Sequence, residues 1–405
     1  MIKKSKVTSV NLESLNNPYK TILMAQDKDQ KTLNVPPLRF PGFTDEWKKC
    51  LVSDYGDIVT GTTPSTNQEE NYSNGEYLWA SPSDLGTEKY IYTTQTRLSK
   101  KGFDKTRPLP PKAILVTCIG STIGKMGMAK NKMSTNQQIN SIIVNGAYDA
   151  DFVYYAIQSK FPRYISSIAV QAVPILSKSE FGKLYNVRTS VEEQMKIGEF
   201  LSKIDERIET QNKIIEDLKK LKSVIRKKLF ANLKNLPTEY IEIGELLNYE
   251  QPSEYIVASD EYISDITKIP VLTANKGFIL GYTEEQFGVY SKGDCIIFDD
   301  FTMDAKYVTF PFKVKSSAIK ILTAKSNVNL RFMFEYLQSM DLKSEEHKRH
   351  YISEIATLVV AIPMIEIQNH IACIIGSIDR KLTIEQQIAK EYELEKLYFL
   401  SNIFI

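Results

Sequence analysis

Apolar residues recur along Val191–Phe230 at alternating spacings of about three and four: Ile197, Leu201, Ile204, Ile208, Ile215 and Leu218, with Gln211 taking one position of the same stripe. That is the seam spacing of a helix that packs on another helix. Glu, Lys, Asp and Arg fill the faces between, and after Gly198 neither Gly nor Pro interrupts until Pro237. The pattern predicts one uninterrupted helix roughly 60 Å long at 1.5 Å per residue, too long for an ordinary globular core. It returns over Met364–Phe404, where Gln194-Met-Lys-Ile197 recurs as Gln368-Asn-His-Ile371 and Ile204-Asp205-Glu-Arg-Ile208 as Ile378-Asp379-Arg-Lys-Leu382. Ile197, Leu201, Ile204 and Ile208 of the first helix are expected to pair with Ile371, Ile374, Ile378 and Leu382 of the second. Phe200, Cys373 and the partly outlying Ile374 are apolar enough to meet a partner.

The segments ahead of the helices correspond as well, and a repeat of this size decides the architecture. Pro111-Lys-Ala-Ile-Leu-Val116 resembles Ser291-Lys-Gly-Asp-Cys-Ile-Ile297, and Phe152-Val-Tyr-Tyr-Ala-Ile-Gln-Ser159 resembles Phe332-Met-Phe-Glu-Tyr-Leu-Gln-Ser339. Leu184-Tyr-Asn-Val187 resembles Leu358-Val-Val-Ala361. The chain therefore reads as globule, helix, globule, helix, with expected bounds of 36–190, 191–236, 237–362 and 363–405 after a mobile tail over 1–35. Short strand-like runs set between Gly, Pro, Asn and Ser clusters are expected at Leu51–Val52, Tyr77–Ala80, Ala113–Cys118, Gln138–Val144 and Leu184–Val187. Their counterparts are Pro270–Thr273, Cys295–Phe298, Ser317–Leu322 and Leu358–Ile362. Helices at Asp151–Phe161 and Leu330–Met340 complete two mixed globules, so the fold class is α+β with two globules separated by two long antiparallel helices. The Pro-bounded stretch Pro36-Pro37-Leu-Arg-Phe-Pro-Gly-Phe-Thr-Asp-Glu-Trp47 should dock its aromatics on the first globule.

With 405 residues the chain can bury two or three cores, and it has no apolar run near the roughly 20 residues of a membrane span. The Lys-rich start lacks the apolar core and cleavage site of a secretory signal. Cys50, Cys118, Cys295 and Cys373 show no paired spacing, which argues against a disulfide framework or a zinc site and suits the cytoplasm. A net charge of +2 is uninformative as a total, but its distribution is not. Arg97, Lys100, Lys101, Lys105, Arg107, Lys112, Lys125, Lys130 and Lys132 face only Asp104, and Lys306, Lys313, Lys315, Lys320 and Lys325 span a stretch without acids. Either run alone reads as a solvated face; two in comparable places of two repeats favour a phosphate-facing surface. The rest of the second globule is acidic.

Gly120-Ser-Thr-Ile-Gly-Lys125 has one residue too few between its glycines for a nucleotide P-loop, and Met126 stands where a magnesium ligand would be. A tight turn offering Ser121, Thr122 and Lys125 to a phosphate or base edge is one reading; an ordinary turn with a solvated lysine is the other. Asn136, Gln137 and Gln138 have the amide chemistry that pairs with adenine, or form a plain loop. Asp299 and Asp300, with Thr302 and Lys306, form a polar turn after a buried strand. No third acid or His stands near them as a metal ligand, so they either accept from cytosine or shape the turn. His347, His350 and His370 read as solvated. Methylation, nucleotide-binding and nuclease motifs are missing, so the chain reads as non-catalytic, with no metal or cofactor of its own.

The lead-in from Pro37 to Trp47, Gly120-Ser-Thr-Ile-Gly-Lys125, Thr135-Asn-Gln-Gln138, Glu193-Gln-Met-Lys-Ile-Gly-Glu-Phe-Leu-Ser-Lys-Ile-Asp205 and the twofold repeat resemble the specificity (S) subunits of type I restriction-modification systems. The resemblance runs from about residue 35 onward. It departs at Asn369-His370 and Cys373-Ile374, and at the turn of the second globule. It implies that each globule is a target recognition domain reading half of a bipartite, asymmetric site in double-stranded DNA, with the helices fixing the unread spacer. It also implies two modification subunits that use AdoMet to methylate adenine, and restriction subunits that use ATP and Mg²⁺ to move and cut DNA. A coiled-coil scaffold and a stand-alone DNA nuclease are the rival readings.

Overall fold

The two halves of the chain adopt the same strand order, except for one short strand, Tyr90–Ile91, that has no counterpart in the second half. The computed structural model describes residues 34–168, 175–273, 277–342 and 350–405; the tail expected over 1–35 lies almost wholly outside these, as does His347. The described residues form two compact units. One holds the described part of Asp27–Ile214 with Glu385–Ile405, and the other holds Ile215–Ile384. Each long helix contributes one part to each unit.

In the first unit the strands are β1 (Lys48–Leu51), β2 (Gly56–Thr60), β3 (Tyr77–Ala80), β4 (Tyr90–Ile91), β5 (Thr96–Leu98), β6 (Ile114–Thr117), β7 (Met126–Ala129), β8 (Ser134–Thr135), β9 (Ile139–Val144) and β10 (Tyr185–Arg188). They make a sheet of order β2-β9-β6-β7-β4, a smaller sheet of order β5-β3-β8, and the antiparallel pair β1-β10. Helix α1 (Ala150–Ile168) follows β9, and the long helix α2 (Val191–Ala231) follows β10. The second unit repeats this with β11 (Thr238–Glu242), β12 (Leu247–Glu250), β13 (Ile269–Leu272), β14 (Ile279–Thr283), β15 (Cys295–Asp299), β16 (Ala305–Val308), β17 (Lys313–Val314), β18 (Ile319–Ala324) and β19 (Val359–Pro363). Their orders are β12-β18-β15-β16, β14-β13-β17 and β11-β19. Helix α3 (Leu330–Ser339) and the second long helix α4 (Ile365–Ile403) complete it. In both small sheets the middle strand pairs one neighbour antiparallel and the other parallel.

The apolar strands are explained by covering on both faces. Along β6, Ile114 and Val116 join the cluster that includes Phe152 and Tyr155 of α1, while the intervening Leu115 joins Ala80, Leu85 and Met133 on the other side. Side chains of a strand alternate, so a strand covered on both faces reads as a continuous apolar run. β15 behaves identically: Ile296 and Phe298 pack with Phe332 and Met333 of α3, and Ile297 packs with Leu272 and Val314.

Most expected strands lie within a residue or two of the observed ones, but the one expected at Leu51–Val52 shares only Leu51 with β1, which starts at Lys48 and stops where Val52 begins a 3-10 turn. Strands β4, β5, β8 and β17, of two or three residues, are too short to show a period, and β2, β7, β12, β14 and β16 were not expected either. Helix α1 runs through Pro162, where a stop was expected. Burial of Phe161 and Tyr164 on either side holds it, offsetting the missing N–H.

Both long helices match the pattern closely, and they run antiparallel within each unit. In the first unit Phe200 packs on Phe399 with ring centroids 4.8 Å apart, Lys396 pairs with Asp205 at 2.6 Å, and Gln211 donates to the Glu385 carbonyl at 3.1 Å. In the second, Lys222 pairs with Asp379 at 2.7 Å, and Phe230 shares an apolar cluster with Ile371 and Ile375. Ile197, Leu201, Ile204, Ile371 and Leu382 are buried, each contributing about 1.5–3 kcal/mol. Ile208, Ile374 and Ile378 are half-buried. The fully buried position is Ile375, one residue beyond the expected Ile374. Phe200 is not left over for a partner: it also packs edge-on against Phe40. The lead-in docks as expected. Glu193, the first buried acid of α2, takes two bonds from Arg39 at 2.7 and 2.8 Å and one from the Trp47 indole at 3.1 Å.

Each globule meets the helices of its unit through a polar network. In the first, Lys89 is buried among Tyr90, Tyr154 and Tyr155, donates to Asp151 at 2.5 Å and to Ser202 at 2.6 Å, and has a depressed pKa because burial outweighs its acid partners. The Tyr155 hydroxyl donates to Asp205 at 2.6 Å and accepts from Lys89 at 3.2 Å; burial and that carboxylate hold the phenol far above its ordinary pKa, so it stays protonated. In the second, Glu335 of α3 has no exposed side-chain surface and is held by Arg226 at 2.9 Å, Arg331 at 2.9 Å and Lys222 at 3.3 Å. Arg331 also pairs with Asp379.

Candidate nucleic-acid interface

The candidate site of the first globule forms where two loops leave the central strands. The β6–β7 connection is the Gly120–Lys125 turn, and the β8–β9 connection is Asn136–Gln138. The Cys118 amide donates to the Gln138 carbonyl at 2.8 Å, which ties the loops together. Both turn glycines have positive φ, +96° and +93°, the left-handed region that favours glycine. At Gly124 a Cβ would also stand 2.7 Å from the Phe161 ring.

A third segment, which the sequence reading did not single out, runs beside them. Gly61 and Thr62 donate to the carbonyls of Ile139 and Thr135 at 3.0 and 2.8 Å. A Cβ on Gly61 would fall 2.0 Å from the Asn136 carbonyl oxygen, so only glycine permits this approach. Thr63 then donates to the Gln137 side chain, and Arg107 donates to the Thr60 carbonyl at 2.8 Å. Arg107, Thr63, Gln137 and Gln138 are thus brought together from three places in the chain. The only sequence signal was the Gly-Thr-Thr-Pro run directly after β2.

The other sequence candidates divide by exposure. Ser121, Lys125, Lys132 and Gln137 are exposed, and Thr122 and Gln138 are half-buried. Asn136 is buried: its amide donates to Gln138 at 3.0 Å and its carbonyl oxygen accepts from the Gln138 backbone at 3.0 Å. It shapes the loop and is not presented to a base. Lys125 extends along Gly86 toward the helices and lines a cavity of about 830 Å³ with Lys396 and Glu393. Several residues of the basic run are neutralised: Lys100 by Asp104, Lys101 by Glu70 and Lys112 by Asp151.

The second globule corrects more of the reading. Asp299 accepts from the amides of Phe301 and Thr302 at 2.8 and 3.3 Å, which is the turn-shaping role. Asp300 accepts from the amides of His350 and Tyr351 at 3.1 and 2.8 Å and faces Lys320 at 3.4 Å. Both carboxylates are buried and spent on backbone donors, so neither is available to cytosine. Lys313 is buried as well, pairing with Glu285 at 2.7 Å and donating to the Phe287 carbonyl at 2.8 Å. The hydrogen bond from Lys313 to Glu285, opposed by burial, holds the Glu285 carboxyl below its ordinary range. Lys306 pairs with Asp304 at 2.7 Å, and Thr302 is exposed. Lys315 and Ser316 are exposed on the β17–β18 connection, the counterpart of Asn136–Gln138. His350 is buried and bonded to Glu354 at 2.7 Å, contrary to the solvated reading; His370 is exposed.

Burial pushes the thiols of Cys118 and Cys295 up to about 11 and about 12, leaving them inert. Among the described residues no helix is long and apolar enough to cross a membrane.

Comparison with known proteins matches residues 44–220 and 235–394 to the type I restriction modification DNA specificity domain. The specificity subunit of an Escherichia coli type I restriction enzyme is 42% identical over 137 residues, covering 32% of this chain and 34% of that protein. The MjaIX specificity subunit of Methanocaldococcus jannaschii is 29% identical over 230 residues, covering 55% and 52%. The matches thus span about a third to a half of these relatives. Among solved structures, the S subunit of a type I restriction-modification system from M. genitalium superposes with TM-score 0.63 at 19% identity, covering 92% of this chain and 99% of that one. A structure described in terms of complex assembly and conformational transition of the type I R-M system gives TM-score 0.51 at 12% identity, covering 87% and 96%.

Proposed function

The chain belongs to the type I restriction modification DNA specificity family, and on that premise we propose that it is the non-catalytic subunit that reads a bipartite, asymmetric site in double-stranded DNA. The observation that carries this reading is the repetition of one strand order around different loop residues. Two copies of one scaffold with Gly120–Lys125 and Asn136–Gln138 in one, and Asp299–Asp304 and Lys315–Ala318 in the other, are suited to two different half-sites. The first globule (36–190) reads with Gln137 and Gln138, flanked by Thr63, and holds phosphate with Arg107 and Lys132. In the second (237–362), the exposed Lys315 and Ser316 take the corresponding place, with Thr302 on the neighbouring turn.

The partners are two modification subunits that bind AdoMet and methylate adenine, and restriction subunits that consume ATP with Mg²⁺; the complex works in the cytoplasm. The exposed residues of the two long helices provide the dock, and their length sets the spacer between the half-sites. The test is to exchange residues 240–362 for the same segment of a relative, co-express the chain with its modification subunit, and map methylated adenines across the genome. One half of the motif changes while the other half and the spacer persist. A change in both halves would refute separate reading.

A further inference from the structure

The offset that relates Asp205 to Asp379 also relates Lys396 of α4 to Lys222 of α2, and Leu400 of α4 to Arg226 of α2. The two long helices therefore present the same seat to each globule, with an Asp and a Lys in common and one difference: an apolar Leu400 in the first, a cation in the second. The globules differ at the matching place. Tyr155 of α1 and Glu335 of α3 occupy the same position of the repeated helix, and both are fully buried. Tyr155 donates to Asp205 at 2.6 Å and lies in the apolar cluster that contains Leu400. Glu335 takes Arg226 at 2.9 Å.

We propose that the pairs Tyr155–Leu400 and Glu335–Arg226 form an address code by which each globule fits only its own helix seat. A buried carboxylate is tolerated only with its full set of cations. Glu335 placed on the first seat would lose Arg226 and meet Leu400 instead. Tyr155 placed on the second would leave Arg226, half-buried, facing a phenol. The code goes beyond the reading of DNA, because it concerns which globule of this chain can sit on which helix seat.

Two double-mutant cycles in the full chain test it by melting temperature, a measurement that does not depend on the DNA motif. Arg226→Leu alone should lower the Tm by about 5 °C, because the buried Glu335 then keeps only Arg331 and Lys222 of its three cations. Glu335→Tyr added to it should recover at least half of that loss. Tyr155→Glu should destabilise likewise, and Leu400→Arg added to it should restore part of the loss. Should either destabilising single variant fail to fold, a double variant that folds still supports the code. Additive losses in both cycles, or doubles that also fail to fold, overturn it.

Discussion

Gln194 and Gln368 do the same work in the two repeats. The Gln194 side-chain carbonyl accepts from the Asp149 amide at 3.0 Å while its amide donates to the Thr189 carbonyl at 2.8 Å. Gln368 accepts from the Asn329 amide at 2.9 Å and donates to the Pro363 carbonyl at 2.9 Å. Each glutamine thereby ties the last strand of its globule to the start of the globule's helix, and Asp149 and Asn329 in turn accept from the amides of Phe152 and Phe332. Truncating either to Ala strands two backbone groups, at a cost of about 1–3 kcal/mol. Both tryptophans, Trp47 and Trp79, belong to the first unit. Gln194→Ala should therefore shift the fluorescence transition, and Gln368→Ala should shift the circular-dichroism transition more than the fluorescence one. Equal shifts for both variants on both probes would mean that the units unfold as one.

Exposure separates two kinds of lysine in the second globule. Lys315→Ala should reduce the salt dependence of DNA binding by about one counterion and weaken binding to all sequences. Lys313→Met should leave the salt slope unchanged and destabilise the fold by about 1–3 kcal/mol, because Glu285 and the Phe287 carbonyl both lose their buried donor. A changed salt slope for Lys313→Met, read by titration at several salt concentrations, would return it to the DNA surface.

In the first globule, Gln137→Ala should cost about 1–3 kcal/mol against the cognate site and almost nothing against random DNA. Arg107→Ala should weaken both alike. Competition binding of the assembled complex distinguishes the two, and equal losses for Gln137→Ala would assign it to the backbone.

The ruler is tested by lengthening both helices together. Antiparallel partners stand on either side of the crossing between units, Gln211 with Glu385 and Lys222 with Asp379, so four residues are inserted after Lys219 and four after Leu382. About 6 Å is added, close to two base pairs. The methylated motif should keep both halves and gain spacer; an unchanged spacer would place the ruler in the partner subunits.

Acid should weaken the first junction through Asp151. Burial opposes its ionisation, but Lys89 and then Lys112 prevail and hold the carboxyl below its ordinary value. The stability it contributes is fully present above the unfolded carboxyl pKa of about 4 and is lost as pH falls through the lower folded value. The Asp151→Asn chain should accordingly show a shallower fall of Tm below pH 5 than the parent; parallel curves would remove Asp151 from the acid response.

Sequence alone determined what depends on period and repetition. The seam from Ile197 to Leu218 and its return over Met364–Phe404 gave both long helices nearly to the residue, because a helical period sustained over many turns has no competing interpretation. The parallel runs around Val116 and Ile297, and around Phe152 and Phe332, gave two α+β globules. Tertiary structure decided which polar residues face outward. Lys313, Asp299, Asp300 and Asn136 carry the chemistry of a DNA surface, yet each is buried with a partner that lies elsewhere in the fold or across a turn. Gly61 and Thr63 join Gln137 only because β2 lies beside β9. Exposure is a property of packing between segments distant in the chain, and a local pattern of charges carries no record of which neighbour the fold will bring to neutralise them.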